Sequence, residues 1–141
     1  MSILYERTYP VSGDQPLEAG EAAGRMKREL SRLNLPREAV RRASICMYEG
    51  EINMVIHANG GEASFRVTEN AIEVTLRDQG PGISDLEYAM REGTSTADAE
   101  ARQLGFGAGM GLPNMKKHSD RMEVETALGK GTRVTMWISY T

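Results

Sequence analysis

The spacing of hydrophobic residues changes along the chain, and its first two patterns predict a strand followed by a helix. Residues 3–9 alternate loosely between apolar and polar, which predicts a strand that Pro10 closes. From Leu17 to Leu33 apolar residues recur near helical spacing, and this predicts the first helix. Asn34 and Pro36 are expected to end it.

The second helix is predicted from Pro36 to about Ala58, because proline suits a first helical turn, where its missing N–H would be unpaired anyway. Within this helix the apolar side chains follow steps of three and four, so we expect them to form one buried stripe. The stripe consists of Ile45, Tyr48, Ile52 and Val55.

Two hairpins are predicted after the second helix, and a long Gly-rich, polar stretch separates them. The first joins residues 62–68 to 71–77, and the second joins residues 121–126 to 132–139. In the stretch between them, residues 86–91 favour a short helix. A connection of this length in a compact domain is usually functional, most often a lid, or else disordered.

The elements are predicted to follow one another as a strand, two helices, a hairpin, the long connection, a further helix from about Gly111 to His118, and a closing hairpin. This order favours an α+β fold, a two-layer sandwich with a mixed, mainly antiparallel sheet and its helices on one face. A length of 141 residues suits one core, so we expect residues 1–141 to be a single domain.

Composition narrows the classes of function. The chain is 40% hydrophobic and 26% charged, as is typical of a soluble globular protein. Its net charge of -3 argues against binding nucleic acid through a global excess of basic residues. The single cysteine, the early charges at the N-terminus and the lack of a membrane-length apolar run predict a cytoplasmic protein that binds no membrane.

Glu49, Asn53 and His57 succeed one another at steps of one helical turn in the second predicted helix, so they fall roughly 40° apart around its axis and share one face. A carboxylate can act as a general base, and an amide oxygen can coordinate a hard cation such as Mg²⁺. The alternative is a solvated polar edge with contacts between successive turns. We interpret His57 as structural rather than catalytic.

Asp78 follows the end of a predicted strand and precedes Gly80 and Gly82. An aspartate in this position offers a fixed acceptor beside backbone that a flat ring, such as adenine, can approach closely. A plain turn is the competing interpretation, since Asp, Gly and Pro are the residues from which turns are made.

Glycines at every second position lead straight into the helix predicted near Gly111. The segment contains Gly105, Gly107, Gly109, Met110, Gly111 and Leu112. Such backbone exposes its N–H groups, and a helix N-terminus behind it suits phosphate oxygens. A flexible linker is the alternative. The turn that ends in Gly131-Thr132 carries a weaker signal by itself.

The order of these motifs resembles that of the GHKL ATP-binding superfamily, whose fold is the Bergerat fold. Glu49 and Asn53 look like its N box, residues 78–82 look like its G1 box, and residues 105–111 look like its G2 box. The resemblance therefore implies that ATP and Mg²⁺ are bound, with the G1 and G2 glycines and their neighbours Met110 and Leu112 around the nucleotide.

The resemblance also implies a role for each of the other candidate residues. Glu49 would be the general base, and Asn53 would be the Mg²⁺ ligand. Asp78 would accept a hydrogen bond from the adenine amino group, and Thr132 would lie close to the adenine pocket. Residues 83–104 would form the ATP lid.

Within the superfamily, the short chain and its Gly111-Leu112-Pro113 continuation are similar to the anti-sigma-factor and switch kinases of bacteria. This similarity implies an ATP-dependent serine/threonine protein kinase that phosphorylates a small antagonist protein. The alternative is an ATP-gated module that binds a sigma factor or another partner with little or no kinase activity. Because the superfamily includes both dimers and monomers, a homodimer stays open.

Overall fold

The structure is a computed structural model, and it describes residues 2–12, 20–58, 60–80, 82, 90 and 111–141. Five strands and three helices lie within them. No helix in this part of the chain has both the length and the apolar character of a membrane span. In chain order, the elements are β1 (Ile3–Ser12), α1 (Glu21–Arg32), α2 (Arg37–His57), β2 (Gly60–Thr68), β3 (Ala71–Arg77), α3 (Gly111–His118), β4 (Arg121–Ala127) and β5 (Gly131–Ser139).

The strands form one sheet in the order β1-β2-β3-β5-β4, and each pairing is antiparallel. β5 therefore lies between β3 and its own hairpin partner, β4. Because Arg77 at the end of β3 pairs with Arg133 near the start of β5, the residues that follow β3 meet the residues that open β5. Two segments that are distant in sequence are brought together in this way.

Alternate strand residues form the core, as the period of two requires. Phe65, Val74 and Met136 are buried, whereas Arg66 is exposed and Thr75 is half-buried. Helix α2 packs on the sheet against β1, β2, β3 and β5. The predicted α+β fold, a two-layer sandwich with helices on one sheet face, is thereby confirmed for the described residues. The sheet was expected to be mixed and mainly antiparallel, and each of its described pairings is antiparallel.

The buried side of α2 differs from the predicted stripe. Ile52 and Val55 are buried as expected, but Tyr48 is 39% exposed and Ile45 is only half-buried. The fully buried positions are Ala43, Cys46 and Met47. Because α2 is covered by α1, α3 and the sheet, packing partners on several sides decide which residues are buried, and one amphipathic stripe cannot describe the helix.

The predicted end of β1 was wrong, and the first helix, predicted to run from Leu17 to Leu33, is not helical at Gly20. β1 continues through Pro10 to Ser12, because it is an edge strand and a proline there need not cost a hydrogen bond of the ladder. α1 begins at Glu21, because Gly20 has φ +102° and breaks the helical path. The predicted start at Leu17 lies outside the described residues.

The other predicted elements have mixed outcomes. Both hairpins are present, although β2 begins earlier than predicted, at Gly60. Helix α3 spans the residues predicted for it. The short helix expected at 86–91 and the lid at 83–104 lie outside the described residues, apart from Met90.

A buried carboxylate holds the start of α1. Glu51, on α2, is only 3% exposed, and its two oxygens accept hydrogen bonds from the backbone N–H groups of Ala22 and Ala23 at 3.2 and 3.1 Å. N–H groups in the first turn of a helix have no partner within the helix, and a negative charge is favourable there. Glu51 therefore fixes α1 against α2.

Candidate functional site

The candidate site begins where β3 ends beside the start of β5. Asp78 follows β3, and its N–H donates to the carbonyl oxygen of Thr132 at 2.9 Å. Its Oδ1 accepts hydrogen bonds from the N–H groups of Gly80 at 2.8 Å and of Thr132 at 3.2 Å. No described residue donates to Oδ2. One oxygen of this half-buried carboxylate is therefore fixed, and the other can accept a hydrogen bond from a ligand.

Glycines let the loop after β3 approach its neighbours. Gly131 has φ +95°, and a Cβ there would lie 2.1 Å from the carbonyl oxygen of Asp78. A Cβ on Gly80 would lie 2.6 Å from Cβ of Ala58, just past the end of α2, and Gly82 lies against the β4–β5 turn in the same way. The loop is therefore packed between α2 and that turn, and a side chain at any of these glycines would displace it.

Glu49 and Asn53 lie on the side of α2 that faces α3, and both are half-buried. Nδ2 of Asn114 donates a hydrogen bond to Oε1 of Glu49 at 3.5 Å. A Cβ on Gly111, the first residue of α3, would come within 2.8 Å of the Asn53 side-chain amide. Glu49 and Asn53, which the sequence predicted to share one face of their helix, thus both lie towards α3. The side chain of His57 lies outside the description.

The pKa of the Glu49 carboxyl is shifted by its position in the fold. Burial raises the pKa of the Glu49 carboxyl, while the hydrogen bond from Asn114 and the electrostatic attraction of His118 lower it and offset part of the effect. Within the described residues, no cation forms an ion pair with Glu49. A half-buried carboxyl with a raised pKa and no ion-pair partner is suited to accept a proton.

The described residues fit a Mg²⁺ ion that is coordinated mainly by a bound substrate and waters rather than by the protein. In the part of the chain that the structure describes, no cluster of His, Cys, Asp and Glu could by itself hold a metal ion. Asn53 offers an amide oxygen, which is a hard donor, and the backbone of Gly111 packs beside that amide. Mg²⁺ is usually bound through few protein ligands together with waters and substrate phosphates, which matches this donor set.

The predicted G2 segment is described only at its end. Leu112 is buried in the core, so only its backbone could reach a ligand. Gly105, Gly107, Gly109 and Met110 lie outside the described residues. The phosphate-binding role of this segment stays a prediction.

Sequence reasoning missed two residues beside the candidate base. Gly50 lets α2 approach the sheet, since a Cβ there would lie 2.4 Å from Cγ of Leu76. Its signal was a glycine in the interior of a predicted helix, which often has a packing reason. Asn114 had no comparable signal, because its contact with Glu49 depends on how α3 docks.

Comparison with known proteins adds to this geometry. Residues 15–138 match the family described as histidine kinase-like ATPase domain. The anti-sigma F factor of Caldanaerobacter subterraneus subsp. tengcongensis is 37% identical over 100 residues, which are 70% of this chain and 62% of that protein. The serine/threonine-protein kinase RsbT of Bacillus subtilis is 28% identical over 86 residues, 58% of this chain and 59% of that protein. The chain thus spans less than two thirds of the length of these relatives.

Proposed function

The chain belongs to the histidine kinase-like ATPase domain family, and we propose that it is an ATP-dependent regulator that phosphorylates a serine or threonine of a small antagonist protein. The observation that carries the proposal is the half-buried carboxylate of Glu49, which has no ion-pair partner among the described residues and shares its helix face with Asn53. A carboxylate held in this way can take the proton of an attacking hydroxyl.

Nucleotide binding is proposed at the loop after β3. Oδ2 of Asp78 would accept a hydrogen bond from the adenine amino group, while Oδ1 remains held by backbone N–H groups. Gly80 and Gly82 would let the adenine ring lie close to the backbone, and Thr132 would border it. The phosphates would be held by backbone N–H groups of residues 105–112, at the N-terminus of α3.

The reaction that follows is transfer of the γ-phosphoryl group to a protein hydroxyl. Glu49 accepts the proton of the serine or threonine hydroxyl. The oxygen of that hydroxyl forms a bond to the γ-phosphorus, while the bond from the γ-phosphorus to the β-phosphate oxygen breaks, so that ADP leaves. Asn53 would hold Mg²⁺, which when bound neutralises charge on the phosphate oxygens. Positioning of the two reactants supplies much of the rate acceleration.

The partner is proposed to be a small antagonist protein in the cytoplasm, with a sigma factor as a second partner. The names of the relatives support kinase activity and the binding of a sigma factor, since one is a serine/threonine-protein kinase and another an anti-sigma factor. The latter name also supports a second candidate function, an ATP-gated module that captures a partner with little or no phosphoryl transfer.

The experiment is transfer of label from γ-labelled Mg·ATP to candidate antagonist proteins encoded in the same genome. Glu49→Gln should lower transfer by about 10²- to 10⁴-fold, the usual contribution of a general base, and leave ATP affinity nearly unchanged. Glu38→Gln is the matched control, because it makes the same change at an exposed position of the same helix. Asp78→Asn should weaken ATP binding itself.

Each outcome separates the two candidate functions. Label on a partner serine or threonine that is lost with Glu49→Gln supports the kinase. ATP-dependent capture of the partner without label transfer, unchanged by Glu49→Gln, supports the binding module. Equal transfer by wild type and Glu49→Gln would remove Glu49 from its role.

A further inference from the structure

Helix α3 runs antiparallel along α2 and meets it at four levels. Its first residue, Gly111, is also the last residue of the predicted G2 segment, and its last residue precedes the turn into β4. From the end of α2 towards its start, the facing pairs are Asn53 with Gly111, Glu49 with Asn114, Cys46 with Met115 and Arg42 with His118. The contact of Asn114 with Glu49 is therefore one rung of a continuous helix interface.

The position of Asn114 is fixed from both ends of α3. On one side Leu112 and Met115 are buried in the core. On the other side Arg42 donates from Nε to the carbonyl oxygen of His118 at 3.0 Å and forms an ion pair with Asp120 at 3.0 Å. These contacts hold the backbone on both sides of Asn114, whose amide lies beside Glu49 of α2.

The hydrogen bond from Asn114 divides the two oxygens of Glu49 into different roles. Oε1 accepts the amide N–H, and no described residue donates to Oε2. A carboxylate with one oxygen anchored has fewer orientations, so the lone pairs of the other oxygen keep a defined direction. At 3.5 Å the bond is long, but catalytic hydrogen bonds often tighten only in the complex with substrate.

We propose that Asn114 is a positioning residue, which anchors Oε1 of Glu49 so that Oε2 faces the hydroxyl whose proton it accepts. The inference rests on the proposed kinase function. It gives α3 two tasks at once, since the same helix leads from the predicted phosphate-binding segment and orients the base. The packing of α3 against α2 and the orientation of the Glu49 carboxylate are then coupled.

The kinetic test compares two substitutions of similar size. Asn114→Leu removes the donor, and we expect kcat for label transfer to fall about 10-fold or more while KM for ATP changes less than about twofold. Asn114→Gln keeps a donor and should recover part of the loss. Lys117→Leu, at an exposed position of the same helix, is the control and should change neither constant. An unchanged kcat in Asn114→Leu would overturn the proposal.

A second measurement shows whether Asn114 acts through Glu49. In a Glu49→Gln background, single-turnover transfer should respond to Asn114→Leu much less than in the wild type, because the anchored carboxylate is already gone. An equal loss in both backgrounds would mean that Asn114 acts elsewhere and would overturn the role.

The third measurement needs no enzymatic activity. Urea unfolding of Asn114→Ala, Glu49→Ala and the double variant should show non-additive effects, since the two side chains share one hydrogen bond. If the wild type transfers phosphate and the unfolding effects are additive, the positioning role fails alone. If the wild type transfers no phosphate to any partner, the proposed function fails and the positioning role with it.

Discussion

Glu49 lies where its charge is costly. Burial raises the pKa of its carboxyl, and the hydrogen bond from Asn114 and the attraction of His118 offset this only in part. A carboxyl with a native pKa above its unfolded value binds its proton more tightly in the native state. The free energy of unfolding therefore falls as pH rises from the unfolded pKa through the native pKa. A residue selected for stability alone would not be a half-buried carboxylate at this point.

Glu49→Gln is therefore expected to be more stable than the wild type at pH 7. The difference should shrink as pH falls through the raised native pKa of Glu49 towards about 4.3, the ordinary pKa of Glu, and it should have largely disappeared below that pH. The measurement is urea unfolding across this pH range. Glu38→Gln should behave in the opposite sense, because a hydrogen bond from Arg41 lowers the pKa of Glu38 and its ionised form is the stabilising one. A loss of stability at pH 7 in both variants would contradict this account of Glu49.

Among the elements, α2 has the most demanding contacts, because α1, α3 and the sheet all pack against it. Its approach to β3 depends on the absence of a side chain at Gly50. A Cβ there would lie 2.4 Å from Cγ of Leu76, which is itself buried and cannot move into solvent. Gly24 in α1 is different, since its nearest neighbour would be the flexible end of Arg28 at 3.7 Å.

Gly50→Ala and Gly24→Ala should consequently change stability in opposite directions. Alanine is the better helix former in both helices, by about 0.5–1 kcal/mol. At position 24 we expect this gain in full. At position 50 the clash with Leu76 should outweigh it, with a net loss of about 1–3 kcal/mol, as is usual for overpacked cores. Urea unfolding measures the free energy of unfolding of the two variants. Stabilisation by Gly50→Ala would show that α2 can shift away from the sheet at little cost.

The elements also show what local sequence can predict. Both hairpins and α3 were predicted because alternation, turn residues and glycine positions are local signals. The burial of α2 was predicted only in part, because its partners are distant in sequence. The acceptor for the first N–H groups of α1 was missed for the same reason, since Glu51 lies on another helix.

At the scale of the whole molecule, the candidate site is assembled from segments that no local pattern connects. The sequence predicted Glu49, Asn53 and Asp78 as candidate site residues separately, through motifs and a family resemblance. Their neighbours follow from topology, because the insertion of β5 between β3 and β4 brings Thr132 to Asp78. The docking of α3 likewise brings Asn114 to Glu49. Strand order and helix docking arise from packing between distant residues, so the sequence pattern did not supply them.

This assembly predicts where nucleotide binding should protect the backbone. A bound ligand suppresses only those opening reactions of the backbone that disrupt its binding site, and it lowers their equilibrium constant by a factor of about 1 + [ligand]/Kd. With Mg·ATP in excess, amide hydrogen exchange should slow in residues 78–80, in α3 and in the β4–β5 turn. Openings confined to β1 and α1 leave the candidate site intact, so exchange there should change little.

Hydrogen exchange followed by mass spectrometry measures this pattern, with Asp78→Asn at the same nucleotide concentration as the control. The variant should lose most of the protection, because Asp78 is proposed to bind adenine and its Oδ1 also joins the loop to Thr132. Equal slowing in α1 and α3 would mean that exchange proceeds through global unfolding or that ATP binds elsewhere, and either result would contradict a site built from these segments. Protection of α3 together with residues 78–80 would instead mean that the bound nucleotide contacts both the helix that carries Asn114 and the loop that carries Asp78. A coupling between phosphate binding and the orientation of Glu49 requires this.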